Sequence, residues 1–458
     1  MSASDARKLF GTDGIRALAG QAPLDPTTIF AAGLAIAHSL KSVSEHPRVL
    51  LGRDTRESSP WIAATLAAGL RQAGASVESA GVVPTPAVAF ITRKHGFQAG
   101  VVISASHNPW QDNGIKLFGS DGLKLADAIE LAIESEILHH AAQITAPDPA
   151  SLPPVADNAS YQYDYIQFLI DSVPELSLAG LNVVVDCANG AAAAVAPELF
   201  LRLNAGNEGQ VTLLNISPDG RNINDDCGAL HPKTVAAETQ KRGATIGLTF
   251  DGDADRCMLS GACNNVINGD AILLMAARDL KQRGLLTGDL VIATTMSNMG
   301  LEAALKRSGI RMFRAPVGDR YVLEEMQKQD SALGGEQSGH ILFPHLATTG
   351  DGILTALVIL DLVARSGKTI DELTADLKVF PQVIVNVKVR EKRPLKSIAT
   401  VAAAIEAAEE ELKDTGRVVI RYSGTEALAR VMIEAESEEP MRRHAEAIAA
   451  AIRIELGV

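Results

Sequence analysis

Thiols, aromatic rings, positive charge and long apolar runs are all in short supply, and each shortage rules out a class of protein. The four cysteines, Cys187, Cys227, Cys257 and Cys263, show no CxxC spacing and no dense framework. A disulfide-stapled scaffold is thereby excluded, and reduced thiols in a cytoplasm are expected. No stretch approaches 18 uninterrupted apolar residues, so no membrane span is predicted. The opening Met1–Lys8 lacks the apolar core of a signal peptide, in keeping with a cytoplasmic location. Lys and Arg number 42 against 55 Asp and Glu, a formal net charge of −13. That balance argues against a nucleic acid or an anionic membrane as the main partner, but not against a small anion held by local cations. Aromatics at 4%, with 47% hydrophobic and 21% charged residues, leave an ordinary α/β composition rich in Ala, Leu and Val. The length suits about three domains with sizeable cores.

What is present is a polar loop set on an apolar strand. Ala99-Gly-Val-Val-Ile103 reads as a buried strand and runs into Ser104-Ala-Ser106-His107-Asn108-Pro109, with the tail Asp112-Asn-Gly-Ile-Lys116. In open α/β sheets, ligands bind beyond the carboxyl ends of strands. Pro109 holds Asn108 extended and fixes the exit of the loop. A serine beside a histidine, with a lysine close behind, suits a nucleophile or a phosphate carrier. The hexapeptide alone fits a polar turn closed by Asn-Pro equally well.

Around this loop the chain alternates helical and strand patterns. Phe10-Gly-Thr-Asp-Gly-Ile-Arg16 is a glycine-rich turn with one carboxylate and one guanidinium, either structural or phosphate-facing. Helices over 27–40 and 60–73, with strands over 49–52 and 76–83, predict a mostly parallel sheet covered by helices. Proline-rich residues 142–155 read as a linker, followed by a helix over 161–171. A second α/β unit follows, with a strand over 181–186, a helix over 191–203 and a strand over 245–250. The last leads into Asp251-Gly-Asp253-Ala-Asp255-Arg256, whose three alternate carboxylates can converge on a hard divalent cation such as Mg²⁺. An EF-hand is excluded, because Arg256 stands where glycine is needed and Ala262 where glutamate is needed.

A third unit has a strand over 290–295 and a helix over 301–308, and reaches Gly334-Gly-Glu336-Gln-Ser338-Gly-His340. Its carboxylate, amide, hydroxyl and imidazole are groups suited to gripping sugar hydroxyls. Gly367-Lys-Thr369 imitates the end of a P-loop, but Leu362 occupies the place of the required first glycine. The last unit changes character. Alternation over 383–389, a helix over 396–413, strands over 417–421 and 428–434, and a helix over 440–455 predict a small α+β domain with an antiparallel sheet. Between its paired strands lies Arg421-Tyr-Ser423-Gly424-Thr425-Glu426, able to cradle a phosphate or to serve as a plain hairpin loop.

Taken in order, these four motifs closely resemble the α-D-phosphohexomutases, and the resemblance covers essentially the whole chain. It implies four domains around a central cleft: three mixed, mostly parallel α/β domains over 1–155, 156–256 and 257–373, and an α+β domain over 374–458. Gln337, Val317-Gly-Asp-Arg-Tyr-Val322 and Phe10–Arg16 point to the branch acting on glucosamine phosphates; mannose- and glucose-phosphate enzymes typically carry methionine at the Gln337 position. Ala17 and Ala427 replace the branch's usual glycine and proline without removing a functional group.

The resemblance makes Ser106 a phosphoserine, with Ser104 its structural neighbour, and makes Asp251, Asp253 and Asp255 with Ser106 the ligands of one Mg²⁺. Phosphoserine brings about −2; with three aspartates and a dication the balance is about −3, which Arg16, Lys116 and Arg256 offset. Lys116 becomes the acid/base, helped by His107, while Arg16 orients the phosphoryl group. Glu336, Ser338 and His340 join Arg256 on the sugar. Arg421, Ser423, Gly424 and Thr425, with Arg430, hold the non-reacting phosphate. The implied reaction interconverts glucosamine 6-phosphate and glucosamine 1-phosphate through glucosamine 1,6-bisphosphate, a step toward UDP-N-acetylglucosamine and cell-wall precursors. The last domain would open and close over the turning intermediate. A homodimer is the implied assembly. The alternatives are a mannose- or glucose-phosphate mutase, a metal-dependent phosphatase, and a sugar-phosphate-binding protein without turnover.

Overall fold

Short β-branched runs bounded by Gly, Pro and Asp form the inner strands, and alanine-rich amphipathic stretches form the helices that cover them. The computed structural model describes residues 8–11, 13–206, 208–423 and 427–458. The chain divides into two compact units, Met1–Thr295 with Phe313–Thr374, and Met296–Met312 with Ala375–Val458.

The first unit is built on three sheets. In the N-terminal one the strand order is Phe10–Gly11, Gly14–Leu18, Asp112–Gly119, Ala99–Ile103, Arg48–Arg53, Ser76–Val82. Arg48–Arg53 is parallel to both Ser76–Val82 and Ala99–Ile103, giving the expected β-α-β core. Beyond that core the sheet turns antiparallel, with Asp112–Gly119 paired to Ala99–Ile103 on one side and to Gly14–Leu18 on the other. The glycine-rich turn around Arg16 is therefore a tight hairpin with its second strand in the sheet, and Lys116 sits on a strand. Gly14 has φ +81°, and a Cβ there would lie 2.3 Å from the Ile115 carbonyl oxygen, so the hairpin approaches its neighbour too closely for a side chain.

The second sheet has the parallel strands Gln210–Leu214, Asn182–Asp186 and Ile246–Phe250, extended antiparallel by Cys257–Ser260 and Val266–Ile267. The third includes Leu290–Thr294 parallel to Leu333–Gly335, which pairs antiparallel with Ile341–Leu342. The helices Pro26–Leu40, Ser59–Gln72 and Asp127–Ala141 cover one face of the first sheet, with Ile29, Ile36, Leu66, Leu70, Ile133 and Ile137 in one apolar core. The carboxyl ends of Ala99–Ile103 and Ile246–Phe250 carry the serine and aspartate loops, while the Glu336–His340 loop closes the hairpin between Leu333–Gly335 and Ile341–Leu342.

The second unit has a three-stranded antiparallel sheet with Leu428–Ala435 between Gln382–Lys388 and Gly416–Tyr422. Helices Ala399–Leu412 and Glu438–Leu456 bury Val401, Ile405, Ile448 and Ile452 against Val431 and Ile433. This is the α+β arrangement expected from the pattern of the last unit. Among the described residues, no helix is long and apolar enough to cross a membrane.

Candidate active site

The serine loop is held from below before any chemistry enters. Ser104 Oγ donates to Asp54 Oδ2 at 2.7 Å and accepts from the Ser106 N–H at 2.9 Å, which closes the turn. Ser106 is left with φ 52°, a left-handed conformation that costs a non-glycine residue roughly 1–2 kcal/mol and persists where neighbours over-determine it. Those neighbours are Arg56 and Asn224. The fully buried Arg56 guanidinium donates to the carbonyls of Ser106, Asn108 and Asp112 at 2.9 Å each, and to that of Pro109. Asn224 Nδ2 donates to the Ser106 and Asn108 carbonyls at 3.0 and 3.2 Å. Asp54 balances Arg56 through its Nε at 2.7 Å.

So fixed, Ser106 Oγ donates to Asp251 Oδ2 at 2.5 Å, and His107 Nδ1 lies 3.2 Å from the same hydroxyl oxygen. The aspartate loop approaches closely: a Cβ on Gly252 would lie 2.5 Å from the Ser106 carbonyl oxygen. Asp251, Asp253 and Asp255 each place a carboxylate oxygen within 4.8 Å of the others, and all three are buried. Burial first, then Asp255 and Asp253, push the Asp251 carboxyl well above the ordinary carboxylate range. Asp253 Oδ1 is buried without a hydrogen-bond partner. An all-oxygen set this acidic fits a hard divalent cation. Asp253→Asn is expected to weaken such a cation by about 100-fold, since ligand-shell changes of lesser severity already cost 10–100-fold; a Mg²⁺ titration by calorimetry checks it.

Lys116, only 2% exposed, donates to Asp253 Oδ2 at 2.7 Å and Asp255 Oδ2 at 3.3 Å, and pairs with Asp13 Oδ2 at 3.0 Å. Burial opposes its charge, but Asp13, Asp253 and Asp255 more than reverse that and hold its proton well above the usual lysine range. Asp13 also pairs with Arg16 and, at 2.6 Å, with Lys124, which reaches Asp319 at 2.7 Å. His340 lies between Asp255, at 3.6 Å, and Asp319, at 3.3 Å. Burial disfavours the imidazolium, yet these two carboxylates raise His340 to about 10. His107 goes the other way: burial, then Arg256 and Arg16, lower it to about 4 and keep it neutral.

A cavity of about 600 Å³ has Arg16, His107, Lys124, Arg256, Glu336 and His340 on its walls. Glu336 accepts from the Gly318 N–H at 2.9 Å and from Ser338 Oγ at 3.0 Å. Ser106, 1% exposed, lies beneath the wall and His107 alone of its loop reaches the cavity. The first unit thus brings together Arg16, Ser106, His107, Lys116, the three aspartates, Arg256, Glu336, Ser338 and His340. Sequence reasoning missed Asp13, Arg56, Thr85, Lys124, Asn224 and Asp319. Of these, Thr85 Oγ1 donates to Asp253 Oδ2 at 2.6 Å. Asp13 and Asp319 stood inside the Phe10–Arg16 and Val317–Val322 motifs, so an unexplained charge in a polar loop was the available signal.

Gln337, the expected marker of the amino-sugar branch, donates from Nε2 to Asp270 Oδ2 at 2.9 Å, on the first turn of helix Gly269–Gln282. Its amide is engaged with the helix and does not line the cavity. Gln337→Met is accordingly expected to cost about 1.5–3 kcal/mol, the worth of a hydrogen bond to a charged group, and to leave sugar preference unchanged; denaturant midpoints and relative kcat/KM values check both.

In the second unit, Arg421 and Arg430 stand directly opposite each other on the paired strands. The Ser423 N–H donates to the Leu428 carbonyl at 2.8 Å, and Lys392 Nζ donates to the Ser423 carbonyl at 2.7 Å. Gly424 and Thr425 lie outside the described residues.

Four family models match the chain in order: phosphoglucomutase/phosphomannomutase alpha/beta/alpha domain I over 7–143, domain II over 163–263, domain III over 268–380 and the C-terminal domain over 384–451. The chain belongs to the phosphoglucomutase/phosphomannomutase family, and so to the phosphohexomutase enzymes. It is 56% identical over 460 residues to the phosphoglucosamine mutase of Koribacter versatilis, covering 99% of this chain and 98% of the relative. It is 48% identical over 452 residues to that of Solibacter usitatus, covering 99% and 100%. Among solved structures, a phosphoglucomutase/phosphomannomutase family protein from Burkholderia thailandensis shares the fold with a TM-score of 0.76 at 22% identity, over 98% of this chain and 99% of that one. Aspergillus fumigatus N-acetylphosphoglucosamine mutase, in complex with GlcNAc-6P and magnesium, shares it with a TM-score of 0.62 at 20% identity, over 99% and 98%.

Proposed function

We propose that the chain interconverts glucosamine 6-phosphate and glucosamine 1-phosphate, with Ser106 carrying the phosphoryl group between turnovers. The observation that carries this reading is the Ser106 hydroxyl held against Asp251 at 2.5 Å, in a left-handed loop beside three buried carboxylates. The names of the relatives at 56% and 48% identity support the amino sugar as substrate.

Magnesium is the proposed cation, held by Asp251, Asp253, Asp255 and Ser106; when bound, it offsets charge on the oxygens of the transferring phosphoryl group. In the forward direction the sugar's O1 forms a bond to phosphorus as the bond to Ser106 Oγ breaks. Lys116, protonated across the same aspartates, gives a proton to the seryl oxygen and takes up the one that O1 loses, so it ends the transfer protonated as it began. Neutral His107 uses its one acceptor, Nδ1, to receive Arg256 Nη1 at 3.2 Å, which fixes the ring beside Ser106 Oγ. Arg16 and Arg256 orient the phosphoryl oxygens from the cavity wall, while Glu336 with Ser338 takes sugar hydroxyls. The resulting 1,6-bisphosphate turns over and returns its O6 phosphoryl group to Ser106. Arg421, Ser423, Gly424, Thr425 and Arg430 are proposed to hold the phosphate that is not reacting, with the facing guanidinium pair as the supporting feature.

The test is an assay with Mg²⁺ and a trace of the 1,6-bisphosphate on glucosamine 6-phosphate, beside mannose and glucose phosphates. A higher kcat/KM for the amino sugar is expected. A preference for mannose or glucose phosphate would keep the mutase chemistry and overturn the substrate assignment. Release of free phosphate in place of isomerised sugar would overturn both.

A further inference from the structure

A second cluster of metal-ligating side chains stands away from the cavity, on the helical face of the N-terminal sheet. His38 is in the last turn of helix Pro26–Leu40. Glu136 and His140 are one turn apart on helix Asp127–Ala141, the i, i+4 spacing that puts two side chains on one helix face. The two helices pack against each other through Ile36, Ile133 and Ile137. One ligand atom from each of His38, Glu136 and His140 lies within 4.8 Å of the other two. His38 Nδ1 is 3.9 Å from Glu136 Oε2, and the two imidazoles stand 5.4 Å apart between ring centroids.

We propose that His38, Glu136 and His140 form a zinc site that ties these two helices together. Two imidazoles and a carboxylate make a three-ligand set that leaves one tetrahedral position for water. Ligand atoms bound to zinc at about 2.0–2.2 Å stand roughly 3.3 Å apart, so small rotations of exposed side chains close the remaining gap. His38 and Glu136 are 37% and 48% exposed, so entry from solvent is open and little burial has to be undone. The nitrogen donors separate this site from the all-oxygen aspartate triad, which suits magnesium. The adjacent His139 is not one of the three clustered ligands, its Nε2 standing 3.2 Å from Gln143 Nε2, and serves as a control.

The consequence reaches the candidate active site through one residue. Glu134, on the same helix as Glu136 and His140, accepts from the backbone N–H groups of Lys8, Leu9 and Phe10 at 2.8–2.9 Å. Phe10 opens the hairpin that carries Asp13 and Arg16. Tying helix Asp127–Ala141 to its neighbour therefore steadies the element on which that hairpin is anchored.

The experiment adds ZnCl₂ to the full chain in excess MgCl₂, which keeps the aspartates occupied, and follows binding by calorimetry and unfolding by a thermal melt. Expected is one equivalent of zinc and a rise in Tm of several degrees. His38→Ala and His140→Ala each weaken zinc by at least 10-fold and abolish the Tm rise, while His139→Ala keeps both; mutase turnover in Mg²⁺ is unchanged in all three. Co²⁺ substituted for zinc gives the visible absorption of a nitrogen-ligated four-coordinate ion in the parent and not in His38→Ala. No zinc-dependent shift overturns the proposal, as does a shift that His38→Ala and His140→Ala retain and Asp253→Asn removes.

Discussion

Replacing Ser106 by alanine lowers mutase turnover by about 10⁴-fold or more, the scale expected when the group that carries the transferred moiety is removed. Steady-state turnover of glucosamine 6-phosphate with added 1,6-bisphosphate measures it. The substitution leaves the loop in place, because the backbone of residue 106 is fixed by Arg56, Asn224 and Ser104, none of which touches the lost oxygen. The hydroxyl's bond to Asp251 is lost, a change of about 1–3 kcal/mol in stability, and a thermal melt separates loss of activity from loss of fold. A variant with near-normal turnover would sink the phosphoserine mechanism.

The second large effect is at Arg56, which touches no reacting atom. Its guanidinium spreads four hydrogen bonds over the carbonyls of Ser106, Asn108, Pro109 and Asp112, and a fifth to Asp54. Lysine offers three donors on a point charge and cannot reproduce that fork. Arg56→Lys is therefore expected to lower kcat by about 10²-fold through displacement of the serine loop, with KM little changed because the cavity wall does not include Arg56. Arg56→Met goes further and leaves Asp54 as a buried carboxylate without its partner, at a cost of roughly 3–5 kcal/mol. Kinetics of the lysine variant beside denaturant unfolding of the methionine variant distinguishes positioning from plain destabilisation. Equal kcat in parent and Arg56→Lys would contradict the positioning role.

Much of the architecture was legible in the sequence because it is locally written. The strand over 99–103 and the helix over 27–40 follow from unbroken apolar or periodic runs, and they appear as Ala99–Ile103 and Pro26–Leu40. The aspartate triad was legible because all three carboxylates fall within five consecutive positions. The hairpin around Arg16 was not, since Gly14–Leu18 is a strand by virtue of its pairing with Asp112–Gly119, far along the chain. Lys124 is an ordinary surface charge by sequence; the fold brings it to 2.7 Å from Asp319, whose motif gave no hint of that partner. Gln337 shows the opposite limit: a motif position can be correctly noticed and still face a helix instead of a ligand.

The most direct measurement follows the phosphoryl group itself. The protein, loaded with Mg²⁺, is incubated with glucosamine 1,6-bisphosphate labelled in phosphorus, then digested and mapped by mass spectrometry. The predicted result is label on the peptide that contains Ser106, none in Ser106→Ala, and loss of that label to added glucosamine 6-phosphate. Label on a different residue, or full turnover with no labelled peptide, would contradict the account.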